Sequence, residues 1–206
     1  HQRDSSDCLM LQTYDGHHLW PSHRLFPNYI EHLLTSDVLV VASTNQIIGI
    51  DVKTGDTKWI AKIALEIPLL AYSKDILVCL DEHEHDDLYN RKMVCLSLST
   101  GKILSKKNSI SGIPTKGFLH LFASEDLIAI SRSSRFDHTT RIYDRKSREI
   151  ILILPYLCGG FECLNDKVFI TSGANINCYS LKAMELSLKW IMTMKYQARF
   201  LLLEDG

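Results

Sequence analysis

Gly49-Ile50-Asp51-Val52-Lys53-Thr54-Gly55-Asp56-Thr57-Lys58-Trp59 is the stretch on which the reading of this 206-residue chain turns. It opens inside the apolar run Ile47 to Val52, breaks into a polar turn, and closes on a tryptophan four residues after a glycine. Gly55 can take the positive φ of a tight hairpin turn without steric cost, and Asp51 and Thr54 can hydrogen-bond the turn backbone. Trp59 then stands on the strand after the turn as a large apolar wedge, suited to filling space between packed sheets rather than to stacking on a ligand.

Outward from this stretch the same rhythm recurs. Four segments open with Asp and continue as a short apolar run, at Asp37, Asp75, Asp126 and Asp166, with spacings of 38, 51 and 40 residues. Each is followed by a second run leading into a polar turn: Ile47 to Val52, Met93 to Leu98, Thr140 to Asp144 and Ile176 to Leu181. Further short runs lie upstream, such as Ile67 to Tyr72 and Gly117 to Phe122. Four short strands per unit of roughly 40–50 residues is the mark of a propeller blade, so the spacing predicts an all-β fold, a β-propeller of four-stranded antiparallel blades. Full blades are expected at about 28–62, 67–108, 115–155 and 159–196, with the last two strands of a blade at 8–20 and a first strand at 198–204. Residues 182–194 are ambiguous between strand and helix. Because edge strands must be paired, residues 1–206 read as a single propeller or as a fragment of a larger ring.

The turn of the opening stretch resembles the PQQ-like, quinoprotein-type repeat, Ala-x-Asp-x-x-Thr-Gly-x-x-x-Trp, with Gly49 in place of the Ala. The repeat residues are Asp51, Thr54, Gly55 and Trp59; Gly16 and Trp20 keep only the Gly-to-Trp spacing, and Gly101 keeps Thr-Gly without the Trp. The resemblance implies a propeller that grades into WD40-like adaptors. It also implies three functional readings: a quinone-dependent dehydrogenase, a lumenal sensor domain of a membrane protein, or a non-catalytic scaffold. The dehydrogenases resemble one another in an adjacent-cysteine disulfide and in calcium ligands at the cofactor, and neither maps onto this chain. The expectation is therefore a scaffold or adaptor that binds protein, with no catalytic residue, no metal and no cofactor.

A net charge of -1 removes the footprint of a dedicated nucleic-acid binder. No apolar run approaches the ~20 residues that cross a bilayer; the longest, Ile150 to Pro155, has the length of a buried strand. The start, His1 to Asp7, carries neither Met nor an apolar signal core, as expected of a processed end or an excised segment. Six cysteines are too sparse for a disulfide scaffold, and no Asn-x-Ser/Thr site occurs, which together favour a cytoplasmic or nuclear location. The acidic run Asp81 to Asp87 with His83 and His85 reads as a solvated hairpin insertion rather than a metal site, because adjacent side chains in a loop rarely converge on one ion. A second cluster has more to offer. Arg132, Arg135 and Arg141 bracket the connection between two predicted strands, and their planar forks of donors suit an acidic or phosphorylated protein partner.

Overall fold

The computed structural model describes residues 7–9, 24–26, 29–81, 91–110, 118–133, 138–182 and 185–194, and every regular element among them is a β-strand. A two-stranded pair, β1 (Asp7–Leu9) with β2 (Arg24–Phe26), precedes four antiparallel meanders. The first comprises β3 (Tyr29–Leu34), β4 (Val38–Ser43), β5 (Gln46–Asp51) and β6 (Thr57–Lys62). The second comprises β7 (Pro68–Ser73), β8 (Ile76–Asp81), β9 (Arg91–Ser97) and β10 (Ile103–Ile110). β11 (Phe118–Ala123), β12 (Leu127–Ser133), β13 (His138–Asp144) and β14 (Ile150–Leu154) form the third. β15 (Gly160–Leu164), β16 (Lys167–Ser172), β17 (Asn175–Lys182) and β18 (Glu185–Thr193) form the fourth. In each sheet the strands pair in sequence order, so the four expected four-stranded units are present.

Two expectations change in detail. The ambiguous stretch 182–194 is strand, because β18 completes a sheet and its backbone groups pair with β17. The partner of β1 lies at Arg24–Phe26, beyond the 8–20 segment expected to supply both strands; Gly16 and Trp20 lie outside the described residues, as does the strand expected at 198–204.

The recurring Asp has one constant use, which resides in its backbone. A residue at the end of each third strand donates its N–H to the Asp carbonyl that precedes the second strand: Val52 to Asp37 (3.2 Å), Leu98 to Asp75 (2.7 Å) and Arg145 to Asp126 (2.7 Å) from just beyond the strand, and Leu181 to Asp166 (2.7 Å) from its penultimate position. In the first three sheets a matching turn follows. Gly55, Gly101 and Arg148 donate to the carbonyls of Asp51, Ser97 and Asp144 at 2.8, 2.8 and 2.9 Å. All three take positive φ (75°, 69° and 65°), which Arg148 does at a steric cost that glycine avoids.

The chain divides into two compact units, residues 1–110 and 111–206. In the first, Val40, Trp59 and Ala61 of the β3–β6 sheet pack with Leu77, Cys79, Val94 and Leu96 of the β7–β10 sheet. Leu39, Val41 and Ile50 form a smaller cluster on the other face of β3–β6. With both faces covered, β4 is apolar throughout except at its last residue and buried at every position. The connection into β7 is pinned by the Asp81 carboxylate, which accepts the N–H groups of Glu66 (3.1 Å) and Ile67 (3.0 Å).

In the second unit, Leu127, Ala129 and Ile142 of β11–β14 pack with Phe161, Val168, Ile170 and Tyr179 of β15–β18. Here hydroxyls hold the connection. Cys158 N–H donates to Ser131 Oγ (2.8 Å) and Thr140 Oγ1 (3.0 Å), Thr140 Oγ1 donates to the Tyr156 carbonyl (2.7 Å), and the Tyr156 and Tyr179 hydroxyls meet at 2.7 Å.

Candidate functional site

The turn residues work inside the fold. Asp51 Oδ1 accepts the N–H groups of Lys53 (2.9 Å) and Thr54 (3.0 Å), and Thr54 Oγ1 accepts that of Asp56 (3.1 Å). The bond from Thr54 N–H, helped by Lys58 at 3.2 Å, holds the Asp51 carboxyl below its ordinary range. At Asp75, burial pushes the carboxyl up, but bonds from Ser99 and Ser97 outweigh it and the net shift is downward. Trp59 is 7% exposed, and its Nε1–H donates to the Leu98 carbonyl at 2.8 Å. The indole is sandwiched between two glycines: a Cβ at Gly49 would lie 2.1 Å from the ring, and one at Gly101 would lie 2.6 Å from it. Both positions therefore require glycine for close approach, and Gly101 requires it for φ as well.

Three of the described thiols are poor nucleophiles. Burial pushes Cys79 well above its ordinary value, Cys158 to about 12 and Cys163 to about 11, so all three stay protonated near neutrality. Among the described residues no group of three or more His, Cys, Asp or Glu side chains is placed to hold a metal ion. Asp81 belongs to the connection into β7, and residues 82–87 of the acidic run lie outside the described residues.

Strand pairing brings two of the three candidate arginines onto one face of the β11–β14 sheet: Arg132 is opposite Thr139, and Arg141, two residues along β13, is opposite Ile130. Arg135 lies outside the described residues. Both placed arginines are half-buried rather than fully solvated, because they project from the face of a sheet and not from a loop. Three consecutive side chains on that face of β13 carry enclosed atoms with no hydrogen-bond partner: Thr139 Oγ1, Arg141 Nη1 and the Tyr143 hydroxyl. Burial pushes the Tyr143 phenol up to about 12, against the opposing influence of the Arg141 charge, so it remains a neutral donor near pH 7. No carboxylate occupies that face of the four strands, where Ile128, Ile130, Ile150 and Ile153 surround the polar stripe. The sequence named the two arginines; Thr139 and Tyr143 emerge only from the i, i+2 alternation of β13.

No protein-family model matches the sequence, and no curated protein matches it. Solved structures do. The Pan2 WD40 domain of Neurospora crassa is similar over 84% of this chain and 56% of its own, at 12% identity and a TM-score of 0.52. BamB from Moraxella catarrhalis is similar over 96% of this chain and 63% of its own (12% identity, TM-score 0.45), and Hsv2p of Kluyveromyces lactis over 78% and 49% (11% identity, TM-score 0.49). This fold is a β-propeller fold. The chain spans between about half and five-eighths of the length of these structures.

Reading the four sheets as blades aligns them through their registers. In each, the third and fourth strands have a register shift close to the turn that joins them, and the fourth-strand residue just after that shift holds an equivalent place: Trp59 opposite Gly49, Ser105 opposite Cys95, Leu152 opposite Ile142 and Trp190 opposite Cys178. The first three pairs are ten residues apart and the last is twelve, since β17 and β18 run on to a Lys182–Glu185 pairing.

Proposed function

We propose that this propeller is a non-catalytic scaffold that recognises an acidic or phosphorylated protein partner through the β11–β14 blade. The observation that carries the reading is the donor stripe of Thr139, Arg141 and Tyr143 beside Arg132, on a sheet face without a carboxylate. An enclosed guanidinium N–H without an acceptor, as at Arg141 Nη1, is costly, and a carboxylate or phosphate oxygen relieves that cost with directed hydrogen bonds. The remaining chemistry fits a scaffold: the Cys79, Cys158 and Cys163 thiols are neutral, and the Asp51, Asp75 and Asp81 carboxylates are engaged by the backbone at turns and connections. Buried free thiols support a reducing compartment, cytoplasm or nucleus.

The triple change Arg132→Ala, Arg135→Ala and Arg141→Ala tests this. Wild type should capture a discrete protein from lysate at low salt, lose it as salt rises, and lose it in the triple variant. Equal recovery by a triple variant that keeps the wild-type circular dichroism and melting curve rejects the arginine surface.

A further inference from the structure

The register that aligns the blades singles out Trp190. It sits on β18 where Trp59 sits on β6, and its surroundings correspond position by position: Val40, Ala42, Ile47 and Ala61 become Phe169, Thr171, Ile176 and Met192. On the β3–β6 blade all of these are buried. On the β15–β18 blade Phe169 and Ile176 are half-buried, Trp190 is 43% exposed and Met192 is 50% exposed. Thr171 is fully buried there, yet its hydroxyl has no partner. This is the face opposite the one that β15–β18 contributes to the core of its unit, because Val168, Ile170 and Tyr179 alternate with Phe169, Thr171 and Cys178.

We propose that the Trp190 face is a docking face for one further four-stranded blade of this same repeat. The turn between that blade's third and fourth strands carries a glycine at positive φ, and the backbone carbonyl three residues earlier receives the Trp190 indole N–H. The molecule itself defines the occupant. The equivalent face of β3–β6 is covered by the β7–β10 blade, whose Gly101 lies against the Trp59 ring and whose Leu98 carbonyl accepts its Nε1–H. Cys178 stands where the β3–β6 blade has Gly49, and a Cβ at Gly49 would lie 2.1 Å from the Trp59 ring. The Trp190 indole therefore does not lie flat on its strand as Trp59 does. It leans on Phe169 with ring centroids 6.1 Å apart and planes at 57°. A side chain on the incoming turn would compete with the indole for the same space, as a Cβ at Gly101 would with Trp59, so glycine is required there.

The probe is a backbone-cyclised hairpin copying residues 93–107, which includes the Gly101 turn, with its hairpin structure verified by NMR; a second hairpin carries Gly101→Val. Each is titrated into the full 206-residue chain and into its Trp190→Phe variant, and the difference in emission between the two isolates Trp190. In the chain alone, acrylamide should quench the Trp190 component freely. The Gly101 hairpin should shift that component to the blue and remove most of its quenching in a saturable way, while the Val hairpin leaves it unchanged. Absence of protection by the folded Gly101 hairpin, or equal protection by both hairpins, overturns the proposal. Shielding of Trp190 in the chain alone, accompanied by dimer in sedimentation, also overturns it, because the occupant is then a second copy of the chain.

Discussion

In the β3–β6 blade the wedge tryptophan lies between two glycines, its N–H bonded to a carbonyl of the next blade; in the β15–β18 blade a tryptophan at the same register position is nearly half exposed. Both face the same way from their sheets; within the blade Cys178 replaces Gly49, and outside it Trp59 has the Gly101 turn and the Leu98 carbonyl against it. Register decides where a side chain points, whereas burial depends on whether a neighbour supplies a slot. Residue type follows the neighbour: Ala61 is small under a packed blade, and Met192 in its place is long, adaptable and half exposed.

The contrast breaks first at the wedges. Trp59→Ala should cost about 3–5 kcal/mol in urea unfolding, the usual loss for a large buried aromatic, whereas Trp190→Ala should cost less than about 1 kcal/mol. Equal costs would mean that Trp190 is already slotted. Next comes the receiving turn. Gly101→Val forces a β-branched residue into left-handed backbone and a side chain against the Trp59 ring, so a loss of about 2–4 kcal/mol is expected from the same measurement.

A smaller effect concerns the turn carboxylate. Because the Asp51 pKa is lowered in the folded protein, its stabilisation is complete above the ordinary carboxylate range and is lost as pH falls through that range toward the folded value. Melting temperatures of wild type and Asp51→Asn should therefore differ at neutral pH and converge as the buffer is taken down to about pH 3. A constant gap would assign the contribution to shape rather than charge. The smallest expected change is a gain: Asn165, exposed at φ 54°, should stabilise the protein by several tenths of a kcal/mol when changed to Gly, and a loss would show that its side chain contributes to the turn.

Much of the blade was legible in one dimension because its signals are local. The Asp-led runs mark second strands at all four sites, and Gly55 and Gly101 take the positive φ that their turns require. Trp190 was not legible as a counterpart of Trp59. Its hairpin has no glycine at the repeat position and is two residues longer, so spacing hides what register shows. Arg148 was hidden for a related reason: an arginine in left-handed backbone performs the turn of a glycine, and composition gives no sign of it. Arg132 and Arg141, read from the sequence as bracketing a connection between strands, are half-buried on a sheet face, since strand alternation, not loop position, directs them.

The sequence by itself determined strand rhythm, turn chemistry and the four-stranded unit, because alternation, glycine conformation and side-chain capping act over a few residues. The tertiary structure alone decided which wedge is slotted, which carbonyl receives it, and which polar atoms are left without partners. The Trp59–Leu98 bond joins residues 39 apart, and the enclosed Arg141 and Tyr143 atoms are defined by what packs over them. Burial and hydrogen-bond satisfaction depend on groups that only the folded chain brings together.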